Sequence, residues 1–192
     1  MLPAPLPANE ADRLAALQRT QLLDSPREDA FDDITRELRT TLGVPIALIT
    51  LIDESRQFFK SASGLPAPLA ETREVPRVTS ICGHVVAQNE LMVIEDVLRD
   101  TRFANNPTLR EGGIRFYAGA PVNISPGAAI GTVCVLDTRP REMRKEDIAV
   151  LLVAAEAVVD RITKRTAKAL LAAAAVDVAA TEPTIAPALP AA

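Results

Sequence analysis

Aromatic side chains are scarce in this chain: they make up 3% of its 192 residues, and tryptophan is absent. With 48% of residues apolar, the core must be built from Leu, Val, Ile and Ala, with rings kept for a few positions. Two cysteines, Cys82 and Cys134, lie 52 positions apart. They form neither a disulfide framework nor a CxxC metal pair, and they suit a reducing compartment. Basic residues are outnumbered, and the net charge of −4 argues against a general nucleic-acid binder. No apolar stretch reaches the roughly 18–20 residues that span a bilayer. The nearest, 149–159, is interrupted by Glu156. The N-terminus MLPAPLPANE lacks a basic region followed by an apolar run, so no signal peptide is expected and the protein is read as cytoplasmic. Also missing are a P-loop, GGDEF and GxSxG, a Ser/His/Asp arrangement and a convincing carboxylate pair. Catalysis is therefore not the leading expectation.

What is present is a sequence of alternating periods. Residues 1–8 are Pro-rich and expected to be disordered. Asn9 is placed to cap a helix to about Leu23, and Ala30, Phe31, Ile34, Leu38 and Leu42 mark a second helix over 27–42, stopped by Gly43. The run 45–53 is almost continuously apolar, as in a strand covered on both faces, with 56–61 as its hairpin partner. Residues 62–78 hold three prolines and read as a loop. Thr79 or Ser80 can cap a short helix to Gln88. A short strand follows over 91–95, then an irregular segment over 96–113 with a helical turn near 107–110. Residues 114–122 and 129–136 form two strands joined by a turn holding Asn123, Ser125, Pro126 and Gly127. The last helix starts near Arg144 and runs past Leu170, with the stripe Ile148, Leu152, Ala155, Val159 and Ile162, widened by Leu151 and Val158. The Ala/Pro-rich tail, 171–192, is expected to be disordered. This order predicts an α+β fold, an antiparallel sheet with helices on both faces. The loops at 62–78 and 96–113, with the helix at 80–88, would arch over one face and enclose a pocket.

The segments LLDSPREDAFDDITRELRTTLGVPIALITLIDESRQFFKSASGL, TSICGHVVAQNELMVIEDVLRDTRFANNP, IRFYAGAPV and IGTVCVLDTRPRE resemble a GAF sensory domain. The resemblance covers roughly 10–165, within a domain taken as 9–170, and implies a GAF-like sheet with helices on both faces. It is to a bacterial group often attached to histidine kinases or diguanylate cyclases. Three specialised GAF functions are not matched. Gly83 separates Cys82 from His84, where bilin-binding domains carry Cys-His. No cyclic-nucleotide signature of the Asn-Lys-Xaa-Phe-Asp-Glu type is found. Cys82 and Cys134 do not reproduce the spacing of the free methionine sulfoxide reductases.

Candidate ligand-binding residues are Cys82, His84, Asp96, Arg102, Phe103, Arg115, Phe116 and Tyr117. Cys82 and His84, at a helix start, read either as a reactive thiol with a partner or as a small core residue beside a satisfied imidazole. Two such residues cannot close a tetrahedral metal site without Asp96 and a further ligand, and no cofactor or metal is assigned. Arg102 or Arg115 would hold an anionic or polar molecule, with a ring from Phe103, Phe116 or Tyr117. Alternatively, Arg115 pairs with Asp96 or Asp100 and braces the loop. On a strand, Arg115 and Tyr117 would share one face, and Ile114, Phe116 and Ala118 the other. Phe58 and Phe59 point to opposite faces. Arg139, Arg141, Arg144 and Lys145 read as a phosphate site or a solvated connection. The expected function is a stand-alone sensory domain that binds a small molecule or senses redox state. It would relay the signal through its terminal helices to a separate partner such as a histidine kinase, as a homodimer seamed by Leu151 and Val158. The alternatives are a thiol reductase using Cys82 and a ligand-free interaction module.

Overall fold

The structure is a computed structural model that describes residues 3–181. In chain order its elements are α1 (Glu10–Arg19), α2 (Asp29–Leu42), β1 (Ile46–Ile52), β2 (Arg56–Ser63), α3 (Ala67–Thr72), β3 (Glu74–Pro76), α4 (Cys82–Gln88), β4 (Met92–Ile94), α5 (Pro107–Glu111), β5 (Phe116–Asn123), β6 (Ala129–Asp137) and α6 (Lys145–Thr181). The six strands form one sheet in the order β3-β2-β1-β6-β5-β4, every neighbouring pair antiparallel. Strands β1, β5 and β6 carry the apolar runs, and β1 and β6 are buried along their whole length. That is the pattern of strands covered on both faces.

The two covers are unequal. On one face α1, α2 and α6 bury Leu17, Phe31, Leu38, Leu151, Val158 and Ile162 against Ala47, Ile49, Leu51 and Phe58. On the other face α4, with the chain around α3 and α5, buries Ile81, Val85, Val86 and Leu109 against Leu48, Phe59, Tyr117 and Cys134. Period 2 sorts neighbours between the two layers, so Phe58 faces the long helices and Phe59 the other side.

Local chemistry sets the boundaries. Gly43 adopts φ 57° after α2, its N–H reaching Thr40 O at 3.3 Å while the Val44 N–H reaches Arg39 O at 3.1 Å, which closes a Schellman end. The helix α1 stops at Arg19, short of Leu23, because the backbone turns left-handed at Gln21 and Asp24. Asn9 does not cap it: its amide donates instead to Gly127 O at 2.8 Å. The segment expected as a loop, 62–78, contains α3 and β3. Pro66 opens the helix, and Pro76 is tolerated because β3 is a three-residue edge strand. Ser80 does serve α4, accepting from the Gly83 N–H at 3.0 Å.

The buried stripe of α6 is Leu151, Ala155, Val158 and Ile162, whereas Leu152 is exposed. Leu151 and Val158 are 0% exposed within the core and cannot form the dimer seam expected of them. Among the described residues, the exposed large apolar side chains of this helix are Leu152, Val153, Leu170 and Leu171. The helix continues to Thr181, so the first part of the tail expected to be disordered is helical. The rest of that tail lies outside the described residues. Among the described residues no helix is long and apolar enough to cross a membrane.

Candidate functional site

A cavity of about 90 Å³ lies between the sheet and its thinner cover. Its floor is Ile46, Leu48, Phe59, Tyr117, Cys134 and Leu136 from β1, β2, β5 and β6. Leu69 of α3, Leu109 of α5, and Ile81 and Cys82 at the head of α4 form the roof. This is where the two loops and the short helix were expected to enclose space. Asn106 holds the roof together: its side chain accepts from Leu109 N at 3.2 Å and donates to Thr79 O at 2.8 Å, tying α5 to the segment that leads into α4.

The wall is mostly apolar and holds one small cluster of sulfur and hydroxyl groups. Cys82 Sγ lies 3.7 Å from Cys134 Sγ, and the Tyr117 hydroxyl donates to Cys82 Sγ at 3.3 Å. Beside them Thr50 and Thr132 pair hydroxyl to hydroxyl at 2.9 Å across β1 and β6, and the Ser80 hydroxyl donates to Gln57 Oε1. The small size of Gly119 creates room for this arrangement. It stands opposite Cys134, and a Cβ there would come within 2.3 Å of the Tyr117 hydroxyl oxygen, so the phenol lies across a position only glycine leaves clear.

Burial pushes the Cys82 thiol up, but hydrogen bonds from Cys134, Thr132, Tyr117 and Thr50 outweigh it and bring it down to about 7. Cys134 rises well above its ordinary value because it donates to Cys82 and is itself buried. Tyr117 rises for the same reason of burial, reinforced by the two sulfurs.

Of the residues singled out from the sequence, Cys82 and Tyr117 line the cavity. His84 is buried in α4 with its ring edge-on to Phe103, centroids 4.9 Å apart, and Phe103 is fully buried. Arg102 stacks over Phe103 and pairs with Asp100 at 2.6 Å, outside the cavity wall. Arg115 grips Asp96 through two hydrogen bonds of 2.8 and 2.6 Å, the bracing arrangement rather than a grip on a pocket anion. That pair holds Asp96 below the usual carboxylate range. Phe116 packs in the opposite layer, under α2 and α6. Ile114 lies on the cavity side with Tyr117, contrary to the strand alternation, because β5 begins only at Phe116 and 114–115 are not yet pleated. Arg141 bonds to Asp137 and to the Leu42 and Gly43 carbonyls, tying the end of β6 to the end of α2, and Arg144 pairs with Asp147 at the start of α6. Thr50, Gln57, Gly119 and Thr132 were not singled out, and Ser80 was named only as a helix cap. The signal of the first four was present as polar or glycine residues interrupting apolar strands. Among the described residues no three His, Cys, Asp or Glu side chains are grouped to hold a metal ion.

An antiparallel sheet with three helices, α1, α2 and α6, covering one face and a small roofed cavity on the other defines an α+β module of two unequal layers. The chain belongs to the GAF domain family, whose model matches residues 26–162. It is 34% identical over 164 residues to a cyclic di-GMP phosphodiesterase of Pseudomonas aeruginosa, a match that takes in 84% of this chain but 27% of that protein. The chain thus spans about a quarter of the length of that curated relative. Among solved structures, the GAF domain of a phosphoenolpyruvate-protein phosphotransferase from Acinetobacter superposes with a TM-score of 0.61 at 18% identity, covering 84% of this chain and 97% of that one. The corresponding domain from Coxiella burnetii gives 0.62 at 16% identity, covering 84% and 97%. These likenesses show the fold.

Proposed function

We propose that this chain is a sensory input domain of a bacterial signalling system. A small molecule occupies the cavity beneath α3, α4 and α5, and α1 and α6 pass the change to an output protein. That output would be a histidine kinase or an enzyme of cyclic di-GMP turnover. The observation that carries this reading is the cavity itself, roofed by short elements that cap a rigid sheet whose other face holds the long helices. At about 90 Å³ it is well below the roughly 300–1,000 Å³ of drug-sized ligand sites. It therefore suits a molecule of a few heavy atoms with weak polarity, and excludes a bilin or cyclic nucleotide unless the roof opens. The ligand would act by favouring one arrangement of the roof. The exposed Leu152, Val153, Leu170 and Leu171 of α6 are the surface on which a second copy would pack, which light scattering of the purified protein tests directly.

Xenon is a suitable first probe, because dry apolar cavities take it up. Amide shifts in a ¹⁵N spectrum under xenon should move at Ile81, Cys82, Leu109 and Tyr117, with smaller shifts in α6. Shifts confined to the surface, or none, would remove the ligand-binding reading. A second reading, a thiol reductase using Cys82, draws on the 3.7 Å approach of the two sulfurs. It requires turnover with a reductant, and full turnover by Cys82→Ser would eliminate it.

A further inference from the structure

The two cysteines are the least expected feature of the cavity. A largely apolar wall has no need of two sulfurs in contact, nor of a tyrosine hydroxyl and two threonines gathered round them. We infer that Cys82 and Cys134 are a dithiol that a small hydroperoxide, admitted to the cavity, oxidises to a disulfide. The inference rests on the cavity being the input site of the domain.

Three observations support it. First, the sulfurs are 3.7 Å apart, and a disulfide needs about 2.05 Å, so the bond forms by moving each sulfur less than the width of an atom. Second, both cysteines line the cavity, so a reactant held there meets them without crossing the core. Third, the two are not equivalent. Cys82 accepts the Tyr117 hydroxyl at 3.3 Å and heads α4, whose position is set by a roof of short elements. Cys134 is embedded in β6, hydrogen-bonded on both sides to β1 and β5. Cys82 is therefore the attacking sulfur and Cys134 the resolving one.

The chemistry balances. The Cys82 thiolate attacks the terminal oxygen of ROOH, and the O–O bond breaks. The Cys82 sulfenic acid and an alkoxide form, and the alkoxide takes the proton that Cys82 gave up. The Cys134 sulfur then attacks Cys82 Sγ, the S–O bond breaks, and hydroxide leaves with the Cys134 proton as water. Two thiols lose two electrons and two hydrogens, and the hydroperoxide becomes an alcohol and water. The new bond ties α4 to the central strand and takes the acceptor sulfur away from Tyr117. The roof of the cavity is thereby set by oxidation as it would be by a ligand.

The test uses the full reduced chain with a small excess of hydrogen peroxide or tert-butyl hydroperoxide. Intact mass should fall by two hydrogens, and a peptide map without reductant should join the Cys82 and Cys134 peptides. Cys134→Ser should stop at a sulfenic acid trapped by dimedone. Cys82→Ser should consume peroxide at least tenfold more slowly, with circular dichroism confirming that each variant is folded. Where a variant fails to fold, the wild-type peptide map decides alone. Two free thiols after excess peroxide, or oxygen added to either sulfur without the cross-link, overturns the inference. If the xenon shifts persist in that case, the sensory reading stands. If they are also absent, both readings fall.

Discussion

Glu10 offers the sharpest test of how α1 is fixed to the end of β1 and to the segment that leads into α4. It opens α1 and receives two hydrogen bonds of 2.8 Å from Arg13, whose guanidinium is 1% exposed and also donates to Ile52 O at 2.7 Å. A third guanidinium bond, of 2.6 Å, comes from Arg77, which stands in the segment leading to α4 and also reaches Asp53 O at 2.9 Å. One carboxylate thus joins α1, the end of β1 and the approach to the roof. Burial raises the Glu10 pKa, but the hydrogen bonds and charges of Arg13 and Arg77 outweigh it and lower it from 4.5 to about 2. That displacement corresponds to roughly 3 kcal/mol at neutral pH. Since the folded value lies below the unfolded one, this stability is present above pH 4.5 and is lost as pH falls towards 2. In Glu10→Gln the amide keeps one acceptor and leaves two guanidinium groups short of a counter-charge, so the expected cost is about 2–3 kcal/mol. For a domain of this size the melting temperature should drop by roughly 5–10 °C. Urea unfolding followed by circular dichroism reads the free-energy cost, and a thermal melt reads the second quantity. Between pH 7 and pH 3.5 the gap between wild type and variant should narrow by about 1 kcal/mol. A cost under about 1 kcal/mol at pH 7, or a gap that does not change with pH, would refute the reasoning.

Three further outcomes follow from the same kind of argument. Gly119→Ala should cost about 1–3 kcal/mol in urea unfolding, because its Cβ meets the buried Tyr117 ring and hydroxyl; an unchanged midpoint would show that the phenol moves freely. Tyr117→Phe removes the donor to Cys82 and should shift the thiolate absorbance titration to higher pH, at a stability cost of about 1 kcal/mol; an unmoved titration would mean Tyr117 does not hold the Cys82 charge. Lys60 is 0% exposed and bonds to Glu28 at 2.6 Å, while Glu28 also pairs with Arg165 of α6. Glu28→Gln, which strands a buried cation, should therefore destabilise by about 2–4 kcal/mol and by more than Lys60→Met, which leaves Glu28 its arginine. The reverse order would show that Lys60 is held by the Ser25 hydroxyl and the Pro26 carbonyl rather than by Glu28.

The layers of this protein are written in short-range pattern. The continuous apolar runs of β1, β5 and β6, the 3.6-residue spacing of α2 and the glycine after it depend only on neighbours in the chain, and each was legible without coordinates. So was the placement of a pocket under the prolines and irregular segments, because chain that cannot pair must cross the surface of a sheet. Edges were read less well: α3 and β3 are short, and Pro66 and Pro76 looked like breakers when one starts a helix and the other ends an edge strand. Along α6 the face was misjudged by about one residue in register. A broad stripe of Leu, Val and Ala leaves several adjacent faces equally apolar until the sheet selects one. The site depended most on tertiary structure. Periodicity placed Cys82 at a helix start and Cys134 in a covered strand, but whether sulfurs 52 positions apart touch is decided by the pairing of β6 with β5 and by where the roof sets α4. Likewise, Arg102 and Arg115 carry charge that suits a ligand, and only the fold shows that Asp100 and Asp96 already hold them. Local preference is a property of the sequence alone, whereas partnership between distant side chains exists only once the chain has closed on itself.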